Sequence, residues 1–124
     1  MTKKIAQKAI LIRPARSCNK GMSDQEIYEM TRGVWRVSIV NAQKVEYAFC
    51  VIKGEIIRIY KIHKWHCAGT LEYKFRSKED VNIKGRLEFE GERCEQLEKE
   101  YSGISVADYF PKGNQNPIKY INCD

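Results

Sequence analysis

Residues 45–65 have the sequence VEYAFCVIKGEIIRIYKIHKW, which carries a strong strand pattern. The first eight of these residues are rich in aromatic and β-branched side chains, and Lys53-Gly54 then interrupts the run with residues suited to a tight turn. The returning segment has apolar side chains at both odd and even positions early on. The pattern predicts an antiparallel hairpin whose second strand is buried on both faces or contains a bulge.

Shorter patterns on either side predict the rest of the fold. Ser23 and Glu26 form a capping box for a helix that ends before Gly33, and residues 94–101 predict a second short helix. The remaining predicted strands are residues 9–13, 34–38, 71–76, 86–92 and 118–122. The third and fourth of these strands alternate polar and apolar side chains, so we expect them to be antiparallel neighbours with one wet face. The sequence therefore predicts an α+β fold, a small mixed sheet or open β-barrel of about six strands with two or three short helices.

The size of the chain indicates one domain over residues 1–124, since 43% of its residues are hydrophobic and domains commonly have this length. No apolar run approaches the roughly 20 residues of a membrane span, so we expect no membrane partner. The basic N-terminal segment lacks the apolar stretch of a signal peptide, which favours a cytoplasmic location. The five cysteines include no CxxC motif and are predicted to be free thiols.

The positive charge is concentrated at one end of the sequence. Residues 1–21 contain six cations and no acid, whereas residues 22–124 contain 16 basic and 16 acidic residues. The whole net charge of +6 therefore lies in the first sixth of the chain, which suits a polyanionic partner. The alternative for residues 1–8 is a flexible, solubilising basic tail.

A tryptophan lies where the first predicted helix leads into the next strand. The run TRGVWRV, residues 31–37, places Trp35 between two arginines, Arg32 and Arg36. A planar base needs one flat face for stacking and nearby cations for its phosphate, and this run offers both. The alternative is that Trp35 is a core side chain.

The N-terminal half resembles YTH domains in three consecutive runs: SDQEI at 23–27, TRGVWRVS at 31–38 and VEYAF at 45–49. YTH domains belong to the PUA-like superfamily together with EVE and ASCH domains. The resemblance implies a small curved β-barrel that binds RNA or DNA, with a modified or flipped base held in a pocket. It covers residues 9–62, about half of the chain.

The resemblance implies a role for Trp35 as one wall of an aromatic cage around a methylated base. Trp65 and Phe110 are candidates for the opposing wall by residue type, as is Tyr109. Asn19, upstream of the first helix, weakly matches the polar residues with which YTH domains contact the base edge. The second half of the chain is similar to bacterial domains appended to some GIY-YIG-type nucleases, which suggests a nuclease partner.

Further candidate contacts come from basic and amide side chains in loops. Asn116 lies in a polar loop whose amides could contact a base edge, although ordinary turn chemistry explains this loop equally well. The candidate phosphate contacts are Arg13, Arg16, Lys20, Arg32, Arg36 and Lys112. Solvated or ion-paired side chains are the alternative for Arg32 and Arg36, whereas Arg13, Arg16 and Lys20 are the preferred contacts.

Residues 63–67 (HKWHC) invite a metal or thiol interpretation, which the sequence does not favour. His63 and His66 are expected on opposite faces of a strand, and no second cluster completes a metal site. Cys67 has no evident orienting group, so we expect no catalysis, metal or cofactor. The sequence predicts a module that binds RNA or DNA, single-stranded or with a flipped base. The alternatives are a non-catalytic interaction or regulatory module, with a nuclease as its partner, and a small enzyme acting on a nucleotide.

Overall fold

A five-stranded mixed sheet organises the fold in the computed structural model, which describes residues 4–110, 113 and 115–123. The strands, in chain order, are β1 Ala9–Ile12, β2 Tyr47–Ile52, β3 Glu55–Cys67, β4 Leu87–Arg93 and β5 Ile118–Ile121. Their order across the sheet is β4-β3-β2-β1-β5, with β1 and β2 parallel and every other neighbouring pair antiparallel. The helices are α1 Asp24–Arg32, α2 Ile39–Ala42, α3 Lys78–Val81 and α4 Glu95–Tyr101. The predicted α+β class is thus confirmed.

The hairpin of β2 and β3 forms at the predicted turn. Lys53 and Gly54 both have positive φ, at 51° and 79°, which suits the twist of a two-residue hairpin loop. The register shifts at Cys50/Val51 and again between Ile62 and Lys64. Much of β3 is buried and the strand is bulged, so the expectation drawn from its apolar pattern is confirmed.

Both faces of the sheet are covered. All four residues of β1 are buried: Ile10 and Ile12 join the core under α1, while Ala9 and Leu11 join the core on the α4 side. Residues 104–110 cover the second face together with α4. A strand buried on both faces explains the uninterrupted apolar sequence of β1.

The capping box at the start of α1 is confirmed. The Ser23 hydroxyl accepts from the Glu26 amide at 3.2 Å, and the Glu26 carboxylate accepts from the Ser23 amide at 3.5 Å. No helix among the described residues is long and apolar enough to cross a bilayer.

Two predicted strand segments are wrong, and the described residues form five strands where about six were expected. In residues 34–38 only Trp35 pairs, with Leu87, and Ser38 caps α2 instead. Residues 71–76 form no strand, because their amides bind carboxylates. Lys74 and Phe75 donate to Glu29, and Leu71 donates to Glu88.

Residues 88–100 contain six glutamates, and two of them are buried rather than exposed. Glu88 is fully buried and accepts from the Gly69 amide at 3.0 Å and from the Tyr73 hydroxyl at 2.7 Å. Glu98 is also buried and accepts from the Ile59 amide at 3.1 Å. Alternation over residues 86–92 predicted exposure for Glu88, and this prediction is wrong. Hydrogen bonds from backbone amides stabilise both carboxylates inside the fold.

Candidate functional site

The two edges of the sheet contribute to one cleft of about 500 Å³, which we call the seam cleft. Arg86, which directly precedes β4, lies on one side, and Ile118 and Tyr120 of β5 lie on the other. Residues 34–37 fill the gap between the two edges. The full lining is Val34, Trp35, Arg36, Val37, Arg86, Asn116, Pro117, Ile118 and Tyr120. Residues from both edges of the sheet therefore line the same cleft, and within the described ranges no hydrogen-bonded strand pair joins β4 to β5.

Trp35 is held in a fixed position at the wall of the seam cleft. Its indole Nε1 donates to the Thr31 carbonyl oxygen at 2.7 Å, and its backbone exchanges two 2.9 Å hydrogen bonds with Leu87. The side chain is half-buried, with part of it packed against the core under α1. The polar atom of the indole is therefore satisfied within the protein, and what Trp35 presents to the cleft is apolar ring surface.

The seam cleft is basic. Arg36 is exposed and Arg86 is half-buried, and neither forms an ion pair within the described part of the chain. Among the described residues that line this cleft, none is acidic. Burial raises the pKa of Tyr120, and its hydroxyl has no hydrogen-bond partner among the described residues.

A second cleft, of about 870 Å³, adjoins the first through Pro117, which lines both. We call it the loop cleft, since residues 13–19 and the β2–β3 turn form most of its wall. Its full lining is Arg13, Pro14, Ala15, Arg16, Cys18, Asn19, Val51, Ile52, Lys53, Gly54, Gln115 and Pro117. No described lining residue is acidic here either, so the two clefts together contain five cations and no described carboxylate.

Arg13 organises the boundary between the clefts. Its guanidinium lies 3.9 Å from the centre of the Phe110 ring and donates to the Asn116 carbonyl oxygen. The Arg13 amide also donates to the Pro117 carbonyl oxygen at 2.8 Å. Arg13 therefore fixes the segment that separates the two clefts. The Phe110 ring, whose residue is only 8% exposed, packs against the guanidinium of Arg13.

Arg32 lies in the interior, away from both clefts. It is 6% exposed, and its guanidinium lies over the rings of Tyr28 and Tyr73, at 4.9 Å and 4.3 Å from their centres. It also donates to the Glu72 carbonyl oxygen. These contacts indicate that Arg32 stabilises the fold, whereas Arg36, four residues later, is exposed to solvent.

The predicted aromatic residues do not share one cleft. Trp65 is 9% exposed and packs edge-to-face on Phe89, with ring centres 5.5 Å apart, and it lines a different cleft. Phe110 supports Arg13 instead of facing Trp35. The aromatic residue that does share the seam cleft with Trp35 is Tyr120, which the sequence analysis missed. Tyr120 lies in a short predicted strand at the end of the chain, and no local sequence pattern indicates that this strand lies close to Trp35.

The remaining predicted contacts lie at or near one of the two clefts, except for one that falls outside the described residues. Asn19 lines the loop cleft and closes a local turn, its Oδ1 accepting from the Gly21 amide at 2.9 Å. Arg16 also lines this cleft, while Lys20 pairs with Glu55 at 3.6 Å. In the seam cleft, Asn116 is exposed and its Oδ1 accepts from the Ile118 amide at 3.0 Å. Lys112 lies outside the described residues.

His63 and His66 pair with carboxylates on alternate residues of β4. His63 lies 3.5 Å from Glu92, and His66 lies 3.0 Å from Glu90. Alternate residues of a strand face the same side, so the bulge beside His63 brings the two imidazoles to one side of the sheet, contrary to expectation. Among the described residues, no group of three or more potential ligands is arranged to hold a metal ion.

Comparison of the chain with protein-family models, curated proteins and solved structures found no match. The interpretation of the two clefts therefore depends on their own geometry and charge. These show a fixed indole, a second aromatic ring and five cations along two adjoining clefts.

Proposed function

We propose that this protein binds RNA or DNA with at least one unpaired base, and that it does so without catalysis. The observation that carries the proposal is the pair of adjoining clefts, whose described linings contain five cations and no carboxylate beside a fixed, half-buried indole. Phosphates would bind along the cations, and one base would stack in the seam cleft.

The charges of the two clefts suit a phosphate backbone. Arg16 and Lys53 lie in the loop cleft, and Arg36 and Arg86 lie in the seam cleft. None of the four forms an ion pair with a described residue. Cations that are not neutralised within the protein release counterions from a polyanion when they contact it, which drives binding.

The seam cleft suits one base. A base entering it would meet the apolar surface of Trp35 and the ring of Tyr120, while Arg36 and Arg86 remain available for the adjacent phosphates. Because removing a base from a duplex stack costs a few kcal/mol, single strands and weakly paired bases are the favoured ligands. A methyl group on the base would gain apolar contact with the rings.

We also propose that the chain is related to PUA-like domains, as the resemblance of its N-terminal half to YTH domains implies. An open barrel brings the two edges of one curved sheet close together, and here residues beside β4 and residues of β5 line one cleft. Trp35 of the YTH-like run lies at that junction. A cytoplasmic location remains a prediction of the sequence.

The proposal is tested by the affinity of a fluorescent single-stranded oligonucleotide at several salt concentrations. The double variant Arg36→Ala/Arg86→Ala is compared with Lys78→Ala/Lys99→Ala, which removes the same charge from exposed residues outside both clefts. We expect the first variant to bind about tenfold more weakly and to lower the magnitude of the slope of log affinity against log salt by about 1.4. The control should bind like wild type. Equal effects of the two variants, or no binding by wild type at low salt, would overturn the proposal.

A protein partner is the second candidate, favoured by one specific feature. Ile39 and Val40 of α2 are 45% and 66% exposed, and Ile39 is only two residues from Val37 of the seam cleft. An acidic protein, including a nuclease, could place an apolar side chain there and its carboxylates on the cations. Such a partner would depend on Val40, which a nucleic acid would not, so Val40→Ser separates the two functions.

A further inference from the structure

A third cleft, of about 470 Å³, lies between α2 and β3 and has no part in the site described above. We call it the Trp65 cleft. Its lining is Ile39, Gln43, Val45, Glu46, Tyr47, Lys61, Ile62, His63, Lys64 and Trp65. It combines two aromatic residues with three basic ones and one acid, a combination that suits the flat base and the phosphate of a nucleotide.

Lys61 and Lys64 supply the charge in this cleft. Both are exposed, and neither forms an ion pair within the described ranges. His63 also lines the cleft, but its imidazole lies 3.5 Å from the Glu92 carboxylate. The two lysines are therefore free to contact phosphate.

Trp65 contributes an unused donor. Its Nε1 is buried and has no hydrogen-bond partner among the described residues, whereas the Nε1 of Trp35 donates to Thr31. Buried indole N–H groups normally find an acceptor. Trp65 lines the cleft, so a ligand oxygen or ring nitrogen that reached Nε1 would supply the missing acceptor.

The Trp65 cleft directly follows the seam cleft along the chain. Val37 lines the seam cleft and Ile39 lines the Trp65 cleft, so Ser38 alone separates the two linings, a span of at most about 7 Å between the flanking Cα atoms. Pro117 links the seam cleft to the loop cleft on its other side. The three clefts thus form one series, with the seam cleft in the middle.

We propose that the Trp65 cleft is a second nucleotide subsite, so that the ligand is a single strand of several nucleotides crossing all three clefts. This inference rests on the proposed function and specifies its ligand. Lys61 and Lys64 bind phosphates of the strand after it leaves the seam cleft, and Trp65 contacts the next base. A succession of aromatic residues along a basic groove is the arrangement by which proteins bind single strands with little sequence preference.

The test measures affinity against strand length. Oligonucleotides of one to eight nucleotides are titrated against wild type, Lys61→Ala/Lys64→Ala and the control Lys78→Ala/Lys99→Ala. We expect wild-type affinity to rise with length and the Lys61/Lys64 variant to lose about tenfold for the longest strands only. Both substituted lysines are exposed, so the variant should remain folded.

A second readout separates this inference from the proposed function. The chain has two tryptophans, so Trp35→Phe leaves Trp65 as the sole indole emitter and Trp65→Phe leaves Trp35. We expect Trp65 emission to change with long strands but not with a mononucleotide. The second subsite is wrong, and the proposed function stands, if Trp35 emission responds to short strands but three other results are negative. These are that affinity does not rise with strand length, that Lys61→Ala/Lys64→Ala binds like wild type, and that Trp65 emission does not change. If neither indole responds to any strand, both proposals fail.

Discussion

The indole Nε1 of Trp35 donates a 2.7 Å hydrogen bond to the carbonyl oxygen of Thr31, in the last turn of α1. This bond links the candidate base-stacking ring to the helix before it, and the backbone pairing of Trp35 with Leu87 links the same residue to β4. The ring is therefore oriented before any ligand arrives. A pre-oriented contact loses less conformational entropy on binding.

Replacing Trp35 separates a binding role from a core role. Trp35→Ala should weaken the binding of a single strand by about 1–3 kcal/mol, since stacking is lost. Trp35→Phe should retain much of the affinity and lose about 1 kcal/mol of folding free energy with the Nε1 bond. Titration calorimetry and urea unfolding measure the two quantities. If Trp35→Ala destabilises the fold by 3–5 kcal/mol, as for a core tryptophan, and leaves the affinity of the remaining folded protein unchanged, the binding role is wrong.

Arg32→Lys tests the interior placement of a residue that the sequence analysis grouped with the phosphate contacts. A lysine cannot contact the rings of Tyr28 and Tyr73 with a planar group while donating to the Glu72 carbonyl. We expect a loss of about 1–2 kcal/mol in unfolding free energy and unchanged affinity for nucleic acid in the folded protein. If Arg32→Lys binds nucleic acid more weakly at unchanged stability, the structural role is wrong and Arg32 contacts the ligand.

Acid should remove the stability that Glu29 contributes. Burial raises the pKa of the Glu29 carboxyl, but hydrogen bonds from Gln25 and from the amides of Phe75 and Lys74 outweigh it and hold the pKa below its ordinary value of 4.5. The folded chain therefore takes up this proton less readily than the unfolded chain. The contribution is complete above pH 4.5 and is lost as the pH falls through the lowered value.

Urea unfolding from pH 7 down to pH 3 measures this effect against Glu29→Gln. The variant should be about 1–3 kcal/mol less stable than wild type at pH 7. The difference should shrink as the pH falls below 4.5, because the wild-type carboxyl then becomes neutral too. A difference that stays constant over the whole range would show that the charge of Glu29 plays no part.

Gly91→Ala tests the close approach of β4 to β3. A Cβ at Gly91 would collide with the carbonyl oxygen of Lys61, which belongs to the neighbouring strand and cannot rotate away. We expect a loss of about 1–3 kcal/mol in unfolding free energy. The control is Gly85→Ala, where φ is +86° but no atom lies within 4 Å, and its expected loss is smaller, about 1 kcal/mol. Equal losses would contradict the steric account.

Local signals predicted the hairpin and the start of α1, because a turn dipeptide and a capping box act over a few residues. Residues 71–76 alternate like a strand, yet their amides bind the carboxylates of Glu29 and Glu88, which are far away in sequence. Alternation alone cannot distinguish a strand partner from a buried carboxylate.

The candidate site was predictable only in part. Trp35, Arg36 and Asn116 were named from sequence and do meet in the seam cleft. Tyr120 and Arg86 were missed, because no local pattern shows that residues beside β4 and residues of β5, at opposite edges of the sheet, line the same cleft. Trp65 was assigned to the same pocket by residue type, but β3 places it in another cleft.

The most direct test uses Trp65→Phe, in which Trp35 is the only indole, titrated with a short single strand and with the same strand carrying a methylated base. We predict saturable quenching of Trp35 emission at low salt, weakened at high salt and absent with a blunt duplex of the same sequence. Unchanged emission at low salt, with the protein folded, would contradict stacking on Trp35 and leave the acidic protein partner as the better account of the basic clefts.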